Sequence, residues 1–156
     1  MAKAIGEGDK APSFSLASDG GGKVTLKDFA GKPLVLYFYP KDDTPGCTKE
    51  AIDFTAAAAK FKRLGVSVVG VSKDSVAAHD RFKTKHKLGI SLASDPEGDV
   101  IESYGSWVEK SMYGRKYMGI DRSTFLIDSK GKIAKIWRKV RVSGHAEEVL
   151  AAVKDL

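Results

Sequence analysis

The sequence predicts an α/β fold in which a central mixed β-sheet has helices on both faces and an N-terminal β-hairpin. Two short apolar runs, residues 34–39 and 66–72, are each followed by a segment whose apolar residues recur at helical spacing, as in parallel strands joined by crossover helices. A later hairpin and a closing helix make the predicted sheet mixed. A chain of 156 residues with 42% hydrophobic residues fits one domain over residues 1–156.

The first elements are a hairpin, a helical turn and a buried strand. Residues 11–16 and 23–26 alternate apolar and polar side chains across a glycine-rich loop, which predicts the hairpin. Residues 26–31 predict a short helical turn closed by a glycine. The continuous apolar run 34–39 is typical of a strand buried on both faces, and Pro40 ends it.

A long helix is predicted directly after this strand, and it carries the only cysteine. Thr44 has the residue type and position of an N-cap, Pro45 suits the first helical position, and Gly65 marks the end. Cys47 is then the third helical residue, in the turn whose backbone N–H groups lack intrahelical partners. These donors and the positive end of the helix dipole stabilise a thiolate, so we expect the chemistry of the chain at Cys47.

The next elements repeat the strand and helix alternation. They are a strand over 66–72, a helix over 76–87, a short strand over 91–94 and a short helix over 100–104. Either Asp74 or Ser75 is expected to cap the longer of these helices.

The last third of the chain is predicted to begin irregularly and to end in regular structure. Residues 106–120 show no clear periodicity and are expected to form a loop. Residues 123–128 and 132–140 flank a turn and predict an antiparallel hairpin. Ser143 is expected to cap the final helix.

Composition narrows the possible functions. One cysteine excludes an intrachain disulfide and zinc sites of four cysteines or of two cysteines and two histidines. Residues 1–10 lack an apolar segment of signal-peptide length, and no apolar run is long enough to span a bilayer, so we expect a cytoplasmic protein without a membrane partner. The net charge of +6 would permit binding to polyanions, but the cationic residues interleave with apolar ones, so no specific nucleic-acid partner is predicted.

The residues around Cys47 resemble a known signature. The segment Pro40-Lys-Asp-Asp-Thr44-Pro-Gly-Cys47 looks like the peroxiredoxin pattern of proline, three residues, threonine, two residues and cysteine. Segments 37–41 and 44–48 are similar to the Q-type branch, also called bacterioferritin comigratory protein. Further similar segments, which together cover nearly the whole chain, are residues 8–12, 73–75 and 119–128.

The resemblance implies a thioredoxin-like fold and the reduction of hydrogen peroxide and organic hydroperoxides without haem, flavin or metal, so no cofactor is expected. The Cys47 thiolate would attack one peroxide oxygen and become a sulfenic acid, while the other oxygen leaves as water or alcohol. Candidate donors to the peroxide are the Thr44 hydroxyl, the Cys47 backbone N–H and the permanently charged Arg122 guanidinium. Pro40 would roof the pocket and exclude water, and Glu50 would orient Arg122 as a hydrogen-bond acceptor.

Three aromatic residues of segment 106–120 have two open interpretations. Trp107, Tyr113 and Tyr117 either pack the expected loop or form the wall of the substrate entrance. The three histidines, His79, His86 and His145, are expected at solvated positions on helices, so no histidine partner for the cysteine is predicted.

One position departs from the family pattern. Many Q-type members carry a resolving cysteine five residues after the first, where this chain has Ile52; others carry it in the next helix, where this chain has Thr84 nearby. The chain therefore resembles a one-cysteine version. Its sulfenic acid must be reduced by an external thiol such as thioredoxin or glutaredoxin, or by Cys47 of a second molecule, and we expect a monomer or a weak homodimer.

Two alternative functions come from other classes. A thiol-disulfide oxidoreductase of the same fold would need the second cysteine of a Cys-x-x-Cys pair, and Glu50 occupies that position. A basic, non-catalytic binding module would use the positive charge alone.

Overall fold

A seven-stranded mixed β-sheet is the centre of the computed structural model, which describes residues 5–156. The first four residues of the segment 1–10, predicted to carry no signal peptide, lie outside the described residues. The strands are β1 (Ser15–Ser18), β2 (Lys23–Thr25), β3 (Leu34–Phe38), β4 (Ser67–Ser72), β5 (Ser91–Ser94), β6 (Trp107–Met112), β7 (Arg115–Ile120), β8 (Ser123–Ile127) and β9 (Ile133–Trp137). The α-helices are α1 (Pro45–Arg63), α2 (Val76–His86), α3 (Asp99–Ser103) and α4 (His145–Lys154).

The sheet has the strand order β2-β1-β5-β4-β3-β8-β9. Strand β3 pairs in parallel with β4 and antiparallel with β8, so it is an interior strand, and all five of its residues are buried. Burial on both faces explains why its sequence is continuously apolar rather than alternating. The predicted buried strand is confirmed.

Alternate residues of β3 point into two hydrophobic layers. Val35 and Tyr37 pack in the layer with apolar residues of α1, α2 and α4, whereas Leu34, Leu36 and Phe38 pack in the layer with α3 and the N-terminal segments. The prediction of a mixed sheet with helices on both faces is confirmed, as is the N-terminal hairpin of β1 and β2. None of the helices within residues 5–156 combines the length and the apolar character needed to cross a membrane.

The N-cap residues of α2 and α4 differ in part from the predicted ones. The Ser75 hydroxyl accepts a hydrogen bond from the Ala78 N–H at 3.1 Å, so Ser75 rather than Asp74 caps α2. The prediction that Ser143 caps α4 is wrong, because Gly144 with φ 75° occupies the N-cap position. A glycine adopts this left-handed backbone without strain.

The prediction of a loop over residues 106–120 is also wrong. Strands β6 and β7 pair antiparallel in a hairpin that is separate from the main sheet. Most of its side chains are exposed on both faces, so the sequence has no alternation of apolar and polar residues to reveal it. The signal in the sequence was the glycine of the turn, Gly114. Tyr113 and Gly114 both have positive φ, as a two-residue type I′ hairpin turn requires.

We predict that Gly70→Ala destabilises the fold. Gly70 of β4 lies beside Tyr37 of β3, and a Cβ atom at Gly70 would lie 2.7 Å from the Tyr37 Cζ. The phenol ring cannot move away freely because it stacks on Phe54 with ring centroids 4.8 Å apart. Overpacking of this kind costs about 1–3 kcal/mol. Urea unfolding should show this loss, while Ser67→Ala at the exposed start of the same strand should not; equal stability of the two variants would contradict the packing argument.

Candidate active site

Cys47 lies where the sequence predicts it, in the first turn of α1. The helix begins at Pro45 with Thr44 at the N-cap position, and the Thr48 N–H donates to the Thr44 carbonyl oxygen at 2.8 Å. The Cys47 side chain is buried and belongs to the hydrophobic layer beneath α1. Burial protects the sulfur from bulk water, while the open N–H groups of the first turn remain available to negative charge.

Arg122, which is distant from Cys47 in sequence, lies beside the Cys47 sulfur. Its Nη2 lies 3.4 Å from the Cys47 Sγ, and its Nη1 donates to Glu50 Oε1 at 2.7 Å. Sheet topology explains the meeting: β8 is antiparallel to β3, with Ser123 opposite Phe38. The residue before β8 is therefore held beside the end of β3, where the chain enters α1.

The charges in this cluster depend on one another. Burial acts to lower the pKa of Arg122, but the neighbouring Glu50 and Cys47 raise it, so the guanidinium remains a cation. Burial raises the pKa of Glu50 to about 7, although its ion pair with Arg122 acts in the opposite direction. Glu50 Oε2 is buried and has no hydrogen-bond partner among the described residues, so it is the oxygen on which a proton would reside.

We predict that Glu50 makes folding stability fall as the pH rises. Its pKa in the folded protein exceeds its ordinary value of 4.5, so the folded state binds the proton more tightly than the unfolded state does. Ionisation between about pH 5 and pH 8 should therefore cost roughly 3 kcal/mol of unfolding free energy relative to Glu50→Gln. Urea unfolding of both proteins across this range tests the effect, with the exposed Glu97→Gln as control. Parallel curves for the native protein and Glu50→Gln would contradict it.

Comparison with known proteins identifies the family of this chain. Residues 7–136 match the AhpC/TSA family. A putative peroxiredoxin bcp of Coxiella burnetii is 52% identical over 143 residues, which cover 92% of this chain and 95% of that protein. The chain belongs to the AhpC/TSA family. The prediction of a peroxiredoxin is thus confirmed.

Solved structures place this peroxiredoxin in the Q-type branch. A PrxQ of Xylella fastidiosa superposes with a TM-score of 0.93 at 39% identity, with 99% of this chain and 98% of that one covered. The bacterioferritin comigratory protein of Xanthomonas campestris, whose trapped intermediate and ligand complexes concern its alkyl peroxide reduction activity, has a TM-score of 0.87 at 45% identity, with 91% and 90% covered. The thioredoxin-like fold predicted from the resemblance is confirmed.

Two other predicted site residues of the peroxiredoxin, Thr44 and Pro40, lie in the loop before Cys47. Thr44 holds the N-cap position, but its hydroxyl donates to the Lys41 carbonyl oxygen at 2.8 Å instead of capping α1. It would have to rotate away from Lys41 to donate to a peroxide. Pro40 is exposed at the end of β3, and its role as a roof stays a prediction.

The three aromatic residues lie on the β6–β7 hairpin. Trp107 is half-buried beneath the ammonium of Lys73, 4.6 Å from its ring centroid. Tyr113 is 99% exposed in the turn, and Tyr117 is 45% exposed. No described contact joins any of the three to Cys47, so their role as a substrate wall stays a prediction.

Two histidines are not solvated as predicted, and this prediction is wrong for both. His79 and His145 are buried because each lies on the apolar stripe of its helix, with His79 three residues from both Val76 and Phe82. Burial lowers the pKa of His145 to about 4, so its ring is neutral and hydrogen-bonds the Thr124 hydroxyl at 2.8 Å. The helical spacing was the signal that sequence reasoning overlooked.

Within residues 5–156, no group of three or more His, Cys, Asp or Glu side chains is arranged to hold a metal ion.

Proposed function

We propose that this peroxiredoxin reduces hydrogen peroxide and organic hydroperoxides through a sulfenic acid on Cys47. The observation that carries the proposal is the approach of the Arg122 guanidinium to within 3.4 Å of the Cys47 sulfur at the start of α1. A permanent cation and a helix N-terminus both stabilise negative charge, first on the thiolate and then along the S, O and O atoms of the transition state. The sequence identity that this chain shares with known peroxiredoxins supports the same chemistry.

The first reaction step is a displacement on oxygen. The Cys47 thiolate attacks the peroxide oxygen that bears hydrogen, the S–O bond forms, and the O–O bond breaks. The leaving oxygen takes a proton and departs as water or as an alcohol. Arg122, the Cys47 backbone N–H and a rotated Thr44 hydroxyl would donate hydrogen bonds to the peroxide, Pro40 would shield it, and Glu50 would hold the guanidinium in place.

The second half of the cycle needs a thiol from outside the chain. Cys47 is the only cysteine, and position 52, where many relatives carry the resolving cysteine, holds an isoleucine. The first external thiol would form a mixed disulfide with Cys47 and release water. The second would regenerate the Cys47 thiol, so that one hydroperoxide consumes two thiols. We propose that thioredoxin, glutaredoxin or a small thiol is the reductant. We also propose that residues 1–156 form one domain and that the protein is cytoplasmic.

Steady-state turnover tests this proposal. Hydroperoxide consumption is followed with thioredoxin, glutaredoxin or a small thiol as reductant, using the native protein and Cys47→Ser. We expect turnover with the native protein and at least one thiol, with two thiols consumed per hydroperoxide, and none with Cys47→Ser. Full turnover in Cys47→Ser would overturn the assignment. Disulfide reduction by the native protein without peroxide would instead favour the thiol-disulfide oxidoreductase.

A further inference from the structure

Both ring nitrogens of His79, a buried histidine of α2, lie within hydrogen-bond distance of an oxygen atom. The His79 side chain is fully buried, its Nδ1 lies 2.7 Å from Asp42 Oδ2, and its Nε2 lies 2.9 Å from the Ala93 carbonyl oxygen. A carbonyl oxygen accepts hydrogen bonds and cannot donate, so Nε2 must carry a hydrogen. The charge of the ring is therefore decided at Nδ1.

The Asp42 carboxylate also accepts a hydrogen bond from a second residue. The Tyr39 hydroxyl donates to Asp42 Oδ1 at 2.5 Å, which leaves Oδ2 for the histidine. An ionised carboxylate only accepts, so beside an ionised Asp42 the Nδ1 atom carries a hydrogen as well and His79 is an imidazolium. Burial alone would lower the pKa of His79, but the hydrogen bond and charge of Asp42 outweigh it and raise the pKa. The remaining charged group nearby, Asp74, acts in the same direction.

This ion pair anchors the loop that leads into the active site. Asp42 lies midway between Pro40 and Thr44, and its backbone N–H donates to Asp74 Oδ2 at 2.8 Å just before α2. The loop is thus bonded to the start of α2 through its backbone and to His79 of α2 through the Asp42 side chain, and His79 is in turn bonded to β5. Only two residues separate Asp42 from Pro45, where α1 begins. A shift of this anchor would move the helix start that carries Cys47.

We propose that His79 is a positioning residue for peroxide reduction: bonded to Asp42, it holds loop 40–44 and the start of α1 where Cys47 meets Arg122. The inference rests on the proposed function of Cys47. It also has a pH signature. The ion pair persists while His79 is protonated and is lost as the pH rises through the raised pKa of His79. The peroxide reaction of the native protein should therefore decline on the alkaline side.

The protonation of His79 can be measured in the native protein without any variant. In ¹⁵N-resolved NMR near neutral pH, both ring nitrogens of His79 should carry hydrogens and have the chemical shifts of an imidazolium. A neutral ring, with one nitrogen lacking a hydrogen, would overturn the inference. This measurement does not involve peroxide, so it is independent of the proposed function.

The effect on the reaction is tested by rate constants for hydrogen peroxide across the pH range. His79→Gln should lower the rate constant about tenfold or more, because small displacements of reacting groups are costly, and it should remove the alkaline decline. Asp42→Asn should do the same, and the double variant should be no slower than either single one, because the two residues act as a unit. Asp42→Asn still tests the inference if His79→Gln folds poorly.

The matched control is His86→Gln. His86 lies on the same helix and bonds Asp43, the next residue of the loop, at 2.8 Å. That contact is partly exposed and Asp43 keeps its second partner Lys85, so the variant should retain the native rate and pH profile. A native rate and profile in His79→Gln would overturn the inference and leave the proposed function standing. A native protein that does not react with peroxide would contradict both.

Discussion

Arg122→Ala is expected to slow the reaction of Cys47 with hydroperoxide by about 10²–10³-fold, the usual loss when one donor to a developing negative charge is removed. The guanidinium is the group that joins the Cys47 sulfur to buried Glu50. The fold should tolerate the change, because Glu50, with a pKa already raised to about 7, can take up a proton once its partner is gone. Stopped-flow measurement of the second-order rate constant tests the prediction.

Arg122→Lys separates charge from geometry. A lysine keeps the positive charge but is a single point charge, so it cannot bond Cys47 and Glu50 together through a planar fork. Its rate constant should fall between those of the native protein and Arg122→Ala. A native rate constant in Arg122→Ala would show that the guanidinium does not take part in the reaction.

Ile52→Cys is expected to change the product of oxidation from a sulfenic acid on Cys47 to an intrachain disulfide. Ile52 is 44% exposed on α1, five residues after Cys47. In an intact helix two Cα atoms at this spacing are about 8.6 Å apart, beyond the reach of about 7 Å that a disulfide allows. The first turns of α1 must therefore unwind for Cys47 to form a disulfide with position 52. We expect this to occur after oxidation, because the first turn is a helix end and opens more readily than the helix interior.

Mass spectrometry distinguishes the two products. After one equivalent of peroxide the native protein should gain one oxygen, whereas Ile52→Cys should lose two hydrogens as its disulfide forms. The variant should also lose helical signal in circular dichroism on oxidation. Ile52→Ser is the matched control and should behave as the native protein does. A stable sulfenic acid in Ile52→Cys would contradict the prediction.

The sequence allowed the central part of the site to be predicted because its signals are local. A continuous apolar strand, a threonine and proline at a helix start, and the cysteine three residues later define the position of Cys47 without tertiary information. Arg122 is distant in sequence, and only the resemblance to peroxiredoxins associated it with Cys47. The pairing of β3 with β8 supplies the physical reason.

The rest of the site depends on tertiary contacts that carry no local signal. The helical spacing of His79 indicates its buried face, but no local pattern indicates that Asp42 is buried with it, 2.7 Å from its ring. The β6–β7 hairpin escaped prediction for the opposite reason, because both of its faces are largely exposed. Neither a buried carboxyl group in a loop nor an exposed hairpin can be recognised from apolar periodicity.

A single turnover of the reduced protein with one equivalent of hydrogen peroxide tests whether Cys47 is the residue that attacks the peroxide. Thiol loss is followed in time, and the product is identified by peptide mass spectrometry with a sulfenic-acid trapping reagent. We predict that the thiol disappears far faster than that of free cysteine and that the trapped sulfenic acid is on Cys47. A thiol that survives at the rate of free cysteine would contradict the account.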